Sequence, residues 1–277
     1  MYQAENSGLI SLSSRDLNAF KIVKPSTVQE AVAFLNDIDS APVAYAGGVD
    51  LVTAFKENKK IGTLVWLKNI KELSKISITK TNVRIGALAT LDQVSNDERL
   101  VMIEGLRETF RKIANVRIRF SATIGGNLMA RRTNYEMPIV LKALNAKLNF
   151  CNKNENFNLA PDSLFNSTQL FGAILTSIDI PLKDIPQIDY ERSLRPLYTQ
   201  ATVKYQINKN KLVRVVIATE FLPPYTFEII DGIDDYNQIF DKLPPDYSDL
   251  KLNNDYIKEI APKILKRQIK RLAGKNE

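Results

Sequence analysis

The chain has 277 residues, 44% of them hydrophobic and 25% charged, which is enough to bury a core without covalent staples. It has no histidine and one cysteine, Cys151. That excludes a histidine-based triad, a histidine-ligated metal, an internal disulfide and a self-contained iron–sulfur cluster, so demanding chemistry would come from a bound organic cofactor or a partner chain. The net charge of +7 is moderately basic, no apolar run is long enough to cross a bilayer, and the N-terminus lacks a signal-peptide layout; a cytoplasmic location is the expectation.

In chain order, Met1 to Asn18 is polar and serine-rich and reads as a flexible lead-in. Phe20 to Val23 reads as a strand. Pro25-Ser26-Thr27-Val28-Gln29 opens a helix, with Ser26 as the expected cap and Val28, Ala31, Val32 and Leu35 on one face. Pro42 to Ala46 is a short apolar strand that runs into Gly47-Gly48, and a helix is expected from Asp50. Thr63 to Leu67 is a continuous apolar strand carrying the only tryptophan, Trp66, expected in the core. Ser77–Lys80 and Val83–Gly86 alternate around Thr81-Asn82 as a hairpin. Thr90-Leu91-Asp92-Gln93 has capping-box spacing. A longer helix should carry Leu106, Phe110, Ile113 and Ala114 on one face.

Val116 to Phe120 reads as the strand-like approach to a second glycine pair, Gly125-Gly126. Met137 to Leu144 reads as a helix, and Lys147 to Cys151 as a strand with Cys151 a small packed residue. Beyond it, Ala173 to Ile180, Ala201 to Ile207 and Leu212 to Thr219 are the expected strands, forming a three-stranded sheet backed by helices. Tyr256 to Ala273 is a basic amphipathic helix that Pro262 should kink or restart. Its lysines and arginines fit a solvated face or a face that meets an acidic partner; a nucleic-acid surface is the alternative, with no aromatic residues interleaved to support it.

Glycine lets a backbone turn at positive φ and lets a ligand approach bare N–H groups. Such turns, followed by helix N-termini, cradle phosphate oxygens. The expectation is that the two glycine corners grip one diphosphate from two sides. Neither has the Gly-x-Gly-x-x-Gly spacing of a dinucleotide-binding helix.

The order Lys24-Pro25-Ser26, Ala46-Gly47-Gly48-Val49-Asp50-Leu51, Ile85-Gly86-Ala87 and Arg119-Phe120-Ser121-Ala122-Thr123-Ile124-Gly125-Gly126-Asn127 resembles the FAD-binding subunit of the xanthine dehydrogenase and carbon monoxide dehydrogenase family of molybdenum hydroxylases. The resemblance implies an α+β FAD-binding domain over 19–182, after the lead-in of 1–18, and a smaller C-terminal domain over 183–277. It implies FAD here, molybdopterin and 2Fe-2S clusters on a large and a small partner chain, and electron transfer to NAD or another acceptor. Carried over by position, it assigns FAD contacts to Ala44, Tyr45, Ala46, Gly47, Gly48, Val49, Asp50 and Leu51. It assigns others to Thr123, Ile124, Gly125, Gly126 and Asn127, to Glu136 near the ribose or adenine end, and to Ile113 and Leu175 beside the rings. Five positions depart from the pattern. Val49 replaces a common Thr, Phe120 a usual Asn, and Arg131-Arg132 small neutral residues; Glu191 lies where a basic residue can approach the flavin, and pairing with Arg192 is its other expected role. A family member that has lost redox work and serves as a structural or assembly subunit is the alternative reading.

Overall fold

A computed structural model describes residues 20–56, 61–133, 135–183, 186–194, 197–207, 210–219, 224–230, 236–241 and 254–273. The expected lead-in over 1–18 lies outside them. Three parallel strands come first, β1 (Lys21–Val23), β2 (Pro42–Tyr45) and β3 (Thr63–Trp66), in the order β1-β3-β2. The apolar run of β3 takes the central place, and Thr63, Leu64 and Val65 are buried. Trp66 is not in the core: it is half-buried and leans on Tyr45 at 4.7 Å between ring centroids.

Helix α1 (Val28–Leu35) joins β1 to β2 and buries Val28, Ala31 and Val32. Its cap is Thr27, one residue later than expected. The Thr27 hydroxyl accepts from the Glu30 amide at 3.1 Å, and the Glu30 carboxylate accepts from the Ser26 amide at 2.7 Å. Helix α2 (Val49–Lys56) joins β2 to β3. The capping box at Thr90 and Gln93 forms as read.

A five-stranded antiparallel sheet has the order β4-β5-β8-β6-β7, from β4 (Ile76–Ile78), β5 (Asn82–Gly86), β6 (Lys147–Cys151), β7 (Asn156–Leu159) and β8 (Ile174–Pro181). Between β5 and β6 lie α3 (Leu91–Asn96), α4 (Leu106–Lys112), α5 (Val116–Ser121), α6 (Ile124–Met129) and α7 (Met137–Ala143). The approach to the second glycine pair is therefore a helix and not a strand. Asn115 caps α5, its side chain accepting from the Ile118 amide at 3.0 Å, and that local bond outweighs the β-branched, alternating pattern.

The C-terminal sheet has four strands where three were expected, in the order β12-β11-β10-β9: β9 (Gln187–Leu194), β10 (Leu197–Ile207), β11 (Asn210–Thr219) and β12 (Tyr225–Ile230). The strand Ala173 to Ile180 belongs instead to the five-stranded sheet, as β8 between β5 and β6. Strand β9 is easy to miss because Asp189, Glu191 and Arg192 break its apolar run. The C-terminal helix runs unbroken over Asn254–Leu272, Pro262 included, and packs on β9 and β10. The whole is an α+β fold.

Candidate functional site

The free edge of β2, both glycine corners and the end of β9 enclose a cavity of about 570 Å³. At the first corner Gly48 takes φ 78°, which reverses the chain from β2 into α2. Among the described residues, the amides of Gly47 and Gly48 donate to no protein acceptor. The two corners touch: a β-carbon added at Gly47 would lie 2.0 Å from the Ser121 carbonyl oxygen.

The second corner is built differently from the expectation. The Ile124 amide donates to Ala89 O at 3.0 Å, Gly125 to Ala87 O at 2.8 Å, and Asn127 to Thr123 O at 3.0 Å. Gly126 donates to the Thr123 hydroxyl at 3.0 Å. The amides of Ile124, Gly125, Gly126 and Asn127 are thus committed to Thr123 and to the segment after β5, unlike those of Gly47 and Gly48. The second corner offers instead the bare face of Gly126, where an added β-carbon would meet only Thr123 Oγ1, at 2.9 Å. It also offers Asn127, whose side-chain oxygen is buried with no partner. A buried acceptor of this kind costs free energy until a donor meets it.

The charged groups of the cavity wall are Asp50, Glu136 and Arg192. Asp50 Oδ1 accepts from Arg132 Nε at 2.9 Å and from the Tyr135 hydroxyl at 2.9 Å. Burial and that carboxylate push the Tyr135 phenol up to about 12. Glu136 is buried and ion-paired with Arg192 of β9; burial pushes its carboxyl above the usual range, against the pull of the guanidinium. Arg192 thus pairs with Glu136 and not with Glu191, which meets Arg267 and Arg271 of the C-terminal helix.

Of the assigned residues, Ala44 through Leu51, Thr123, Gly125, Gly126, Asn127, Glu136 and Leu175 line this one cavity. Ile113 and Ile124 do not: both are fully buried in the main core, Ile113 where α4 ends and Ile124 at the start of α6. Sequence reasoning paired Arg192 with Glu191 and not with the cavity wall, and it missed Tyr135. The alternation of β9 was the signal for Arg192; Tyr135 gave none, because its role depends on Asp50, 85 positions away.

Such a cavity suits an elongated cofactor with an anionic centre and donors to give: free amides at one corner, and an unpartnered acceptor with a bare glycine at the other. A family model described as the FAD binding domain in molybdopterin dehydrogenase matches residues 18–183. The chain belongs to this family, and its cofactor is FAD. The glyceraldehyde dehydrogenase medium chain of Sulfolobus acidocaldarius is 25% identical over 257 residues, 88% of this chain and 86% of that one. The carbon monoxide dehydrogenase medium chain of Afipia carboxidovorans is 31% identical over 132 residues, 46% of this chain and 45% of its own. A solved structure of carbon monoxide dehydrogenase from Oligotropha carboxidovorans shares the fold, with a TM-score of 0.77 over 93% of this chain and 99% of that chain at 22% identity.

Among the described residues no helix is long and apolar enough to cross a membrane.

Proposed function

We propose that this chain is the flavin subunit of a multisubunit molybdenum hydroxylase, taking electrons from 2Fe-2S clusters on a small partner chain and passing them to NAD or another acceptor. A large partner chain holds the molybdopterin and the substrate. FAD supplies the chemistry, since it accepts electrons singly and can release a pair. This chain's residues do the holding. The amides of Gly47 and Gly48 meet the diphosphate, Asn127 accepts a hydrogen bond, Leu175 packs against the rings, and Glu136 with Arg192 forms the polar wall.

The observation that carries this reading is the pairing of unsatisfied groups: free amides at the first corner and an orphaned Asn127 oxygen at the second, on one cavity. The test is the visible spectrum of the purified protein before and after incubation with FAD, with identification of the chains that copurify. A bound flavin spectrum and two partner chains, one with molybdopterin and one with iron–sulfur clusters, are expected. A colourless protein that stays colourless with added FAD would instead make the chain a structural or assembly subunit.

A further inference from the structure

We propose that Arg132 is a positioning residue for the cofactor diphosphate, acting through Asp50: it cancels the charge of a carboxylate placed beside the amide corner. The inference rests on the reading of the cavity as the FAD site. Asp50 follows Gly48 by two residues, at the start of α2, and lines the cavity. A helix N-terminus tolerates a carboxylate well. A diphosphate held on the neighbouring amides does not, because like charges a few ångströms apart in a half-buried site repel strongly.

The structure removes that conflict locally. Arg132 Nε and the Tyr135 hydroxyl both donate to Asp50 Oδ1, each at 2.9 Å. Both donors lie in the segment between α6 and α7, so the chain leaving the second corner straps back onto the first. Tyr135 and Glu136 of that segment themselves line the cavity. Tyr135 supplies a neutral bond, leaving Arg132 as the charge that offsets the carboxylate. Arg131 plays no part: at φ 51° its guanidinium turns away, donating to Phe165 O at 2.9 Å. An arginine at 132, where the family resemblance led us to expect a small neutral residue, is then the counterpart of Asp50 and not a contact to the cofactor.

FAD affinity, read by flavin fluorescence quenching, tests this in wild type, Arg132→Gln, Asp50→Asn and the double variant. Arg132→Gln should weaken binding about tenfold at low salt and less at high salt. On the Asp50→Asn background the arginine has no carboxylate to offset, so the double variant should bind within about threefold of Asp50→Asn and more tightly than Arg132→Gln. A double variant as weak as Arg132→Gln, or an Arg132→Gln protein with unchanged affinity, would overturn the inference. Thermal unfolding of the apo-proteins separates a folding defect from lost affinity, since charge compensation predicts that the double variant regains affinity whatever its midpoint. Wild type that fails to bind FAD would defeat the reading of the cavity itself, a distinct result.

Discussion

A methyl group at Gly47 would strike the Ser121 carbonyl at 2.0 Å, and one at Gly125 would meet the Ala87 carbonyl at 2.7 Å, whereas at Gly126 only the Thr123 hydroxyl stands within reach. The glycines of the two corners therefore serve different ends. At Gly47 and Gly125 the missing side chain lets two backbone segments cross. At Gly126 it leaves a face of the cavity open. Gly47→Ala and Gly125→Ala should each lower folding stability by about 1–3 kcal/mol in urea titrations, through overpacking against backbone. Gly126→Ala should cost less stability than either, since the better helix propensity of alanine offsets the shift of the Thr123 hydroxyl that a β-carbon at 2.9 Å forces, while FAD affinity falls. Equal stability losses at all three positions would contradict this assignment. Asn127→Ala removes an unpaired buried acceptor and should cost the apo-protein little, with the loss again appearing in FAD affinity. Cys151 is a free, buried thiol whose ionisation burial disfavours. Thiol reagents should reach it only as the protein unfolds.

Strand β9 shows how one element serves two neighbours. Ile188 and Tyr190 enter the main core, and Arg192 reaches the cavity wall at Glu136. Asp189 and Glu191 receive the C-terminal helix through Arg271, and Asp189 also binds Lys112 of α4 at 3.0 Å. The period of two in a strand sorts these side chains to opposite faces. Arg192→Gln should destabilise the protein by about 1–3 kcal/mol at neutral pH, because it strands a buried carboxylate; the figure is held below that for a fully buried pair because Arg192 is one-third exposed. The effect depends on pH with a definite sign. The Glu136 carboxyl is raised in the folded state, so the folded protein holds its proton to higher pH than the unfolded chain. Its contribution is fully present below the unfolded value and is lost as pH rises through the folded one. Removing Arg192 removes a lowering influence and widens that window. The deficit of Arg192→Gln relative to wild type, from denaturant titrations, should therefore be smaller at pH 5 than at pH 8. A deficit that grows towards acid would refute the account.

Across the whole molecule, one hydrophobic cluster runs from β5 through α4, α6 and α7 into Ile188, Tyr190, Ala201, Val203, Val216 and Ala218 of the C-terminal sheet. The strands after β8 form their own sheet yet share this core. The seam is also tied by polar groups: Lys112 donates to Asp189 Oδ1 and to Tyr190 O, each at 3.0 Å, and Glu136 pairs with Arg192. Within the C-terminal half a further polar cluster locks the helix to the sheet. Gln268 of the C-terminal helix is fully buried; its side-chain oxygen accepts from Gln200 at 2.8 Å and from Thr202 at 2.6 Å, and its amide donates to Gln200 O at 3.1 Å. Gln268→Leu would remove the buried acceptor that Gln200 and Thr202 share and should cost about 2–4 kcal/mol, with faster hydrogen exchange in β9, β10 and the helix. A shared core also predicts cooperative unfolding. The fluorescence of Trp66, in the first sheet, and the far-UV signal of the whole chain should share one urea midpoint; two separated midpoints would show that the halves fold independently.

Local rules were enough for much of this. The apolar face of α1, the hairpin at Ile78–Asn82, the capping box at Thr90 and the strand–glycine–helix order of the first corner are set by residues within a few positions of each other, and they read correctly from the chain. The helix face expected to run through Ile113 and Ala114 does not: α4 ends at Lys112, Ile113 is extended and Ala114 turns at φ 51°. The glycine corners and their flanking motifs also carried the family resemblance and the cofactor it implies. The tertiary structure decided which groups stayed unpaired. Whether an amide at a glycine corner is free depends on whether a distant carbonyl, such as Ala87 or Ala89, has claimed it. Whether an arginine serves the cofactor or a carboxylate depends on partners such as Asp50 and Glu136, 82 and 56 positions away. Hydrogen-bond valence is satisfied in three dimensions, so a sequence can name the candidates while only the fold shows which of them remain available to bind.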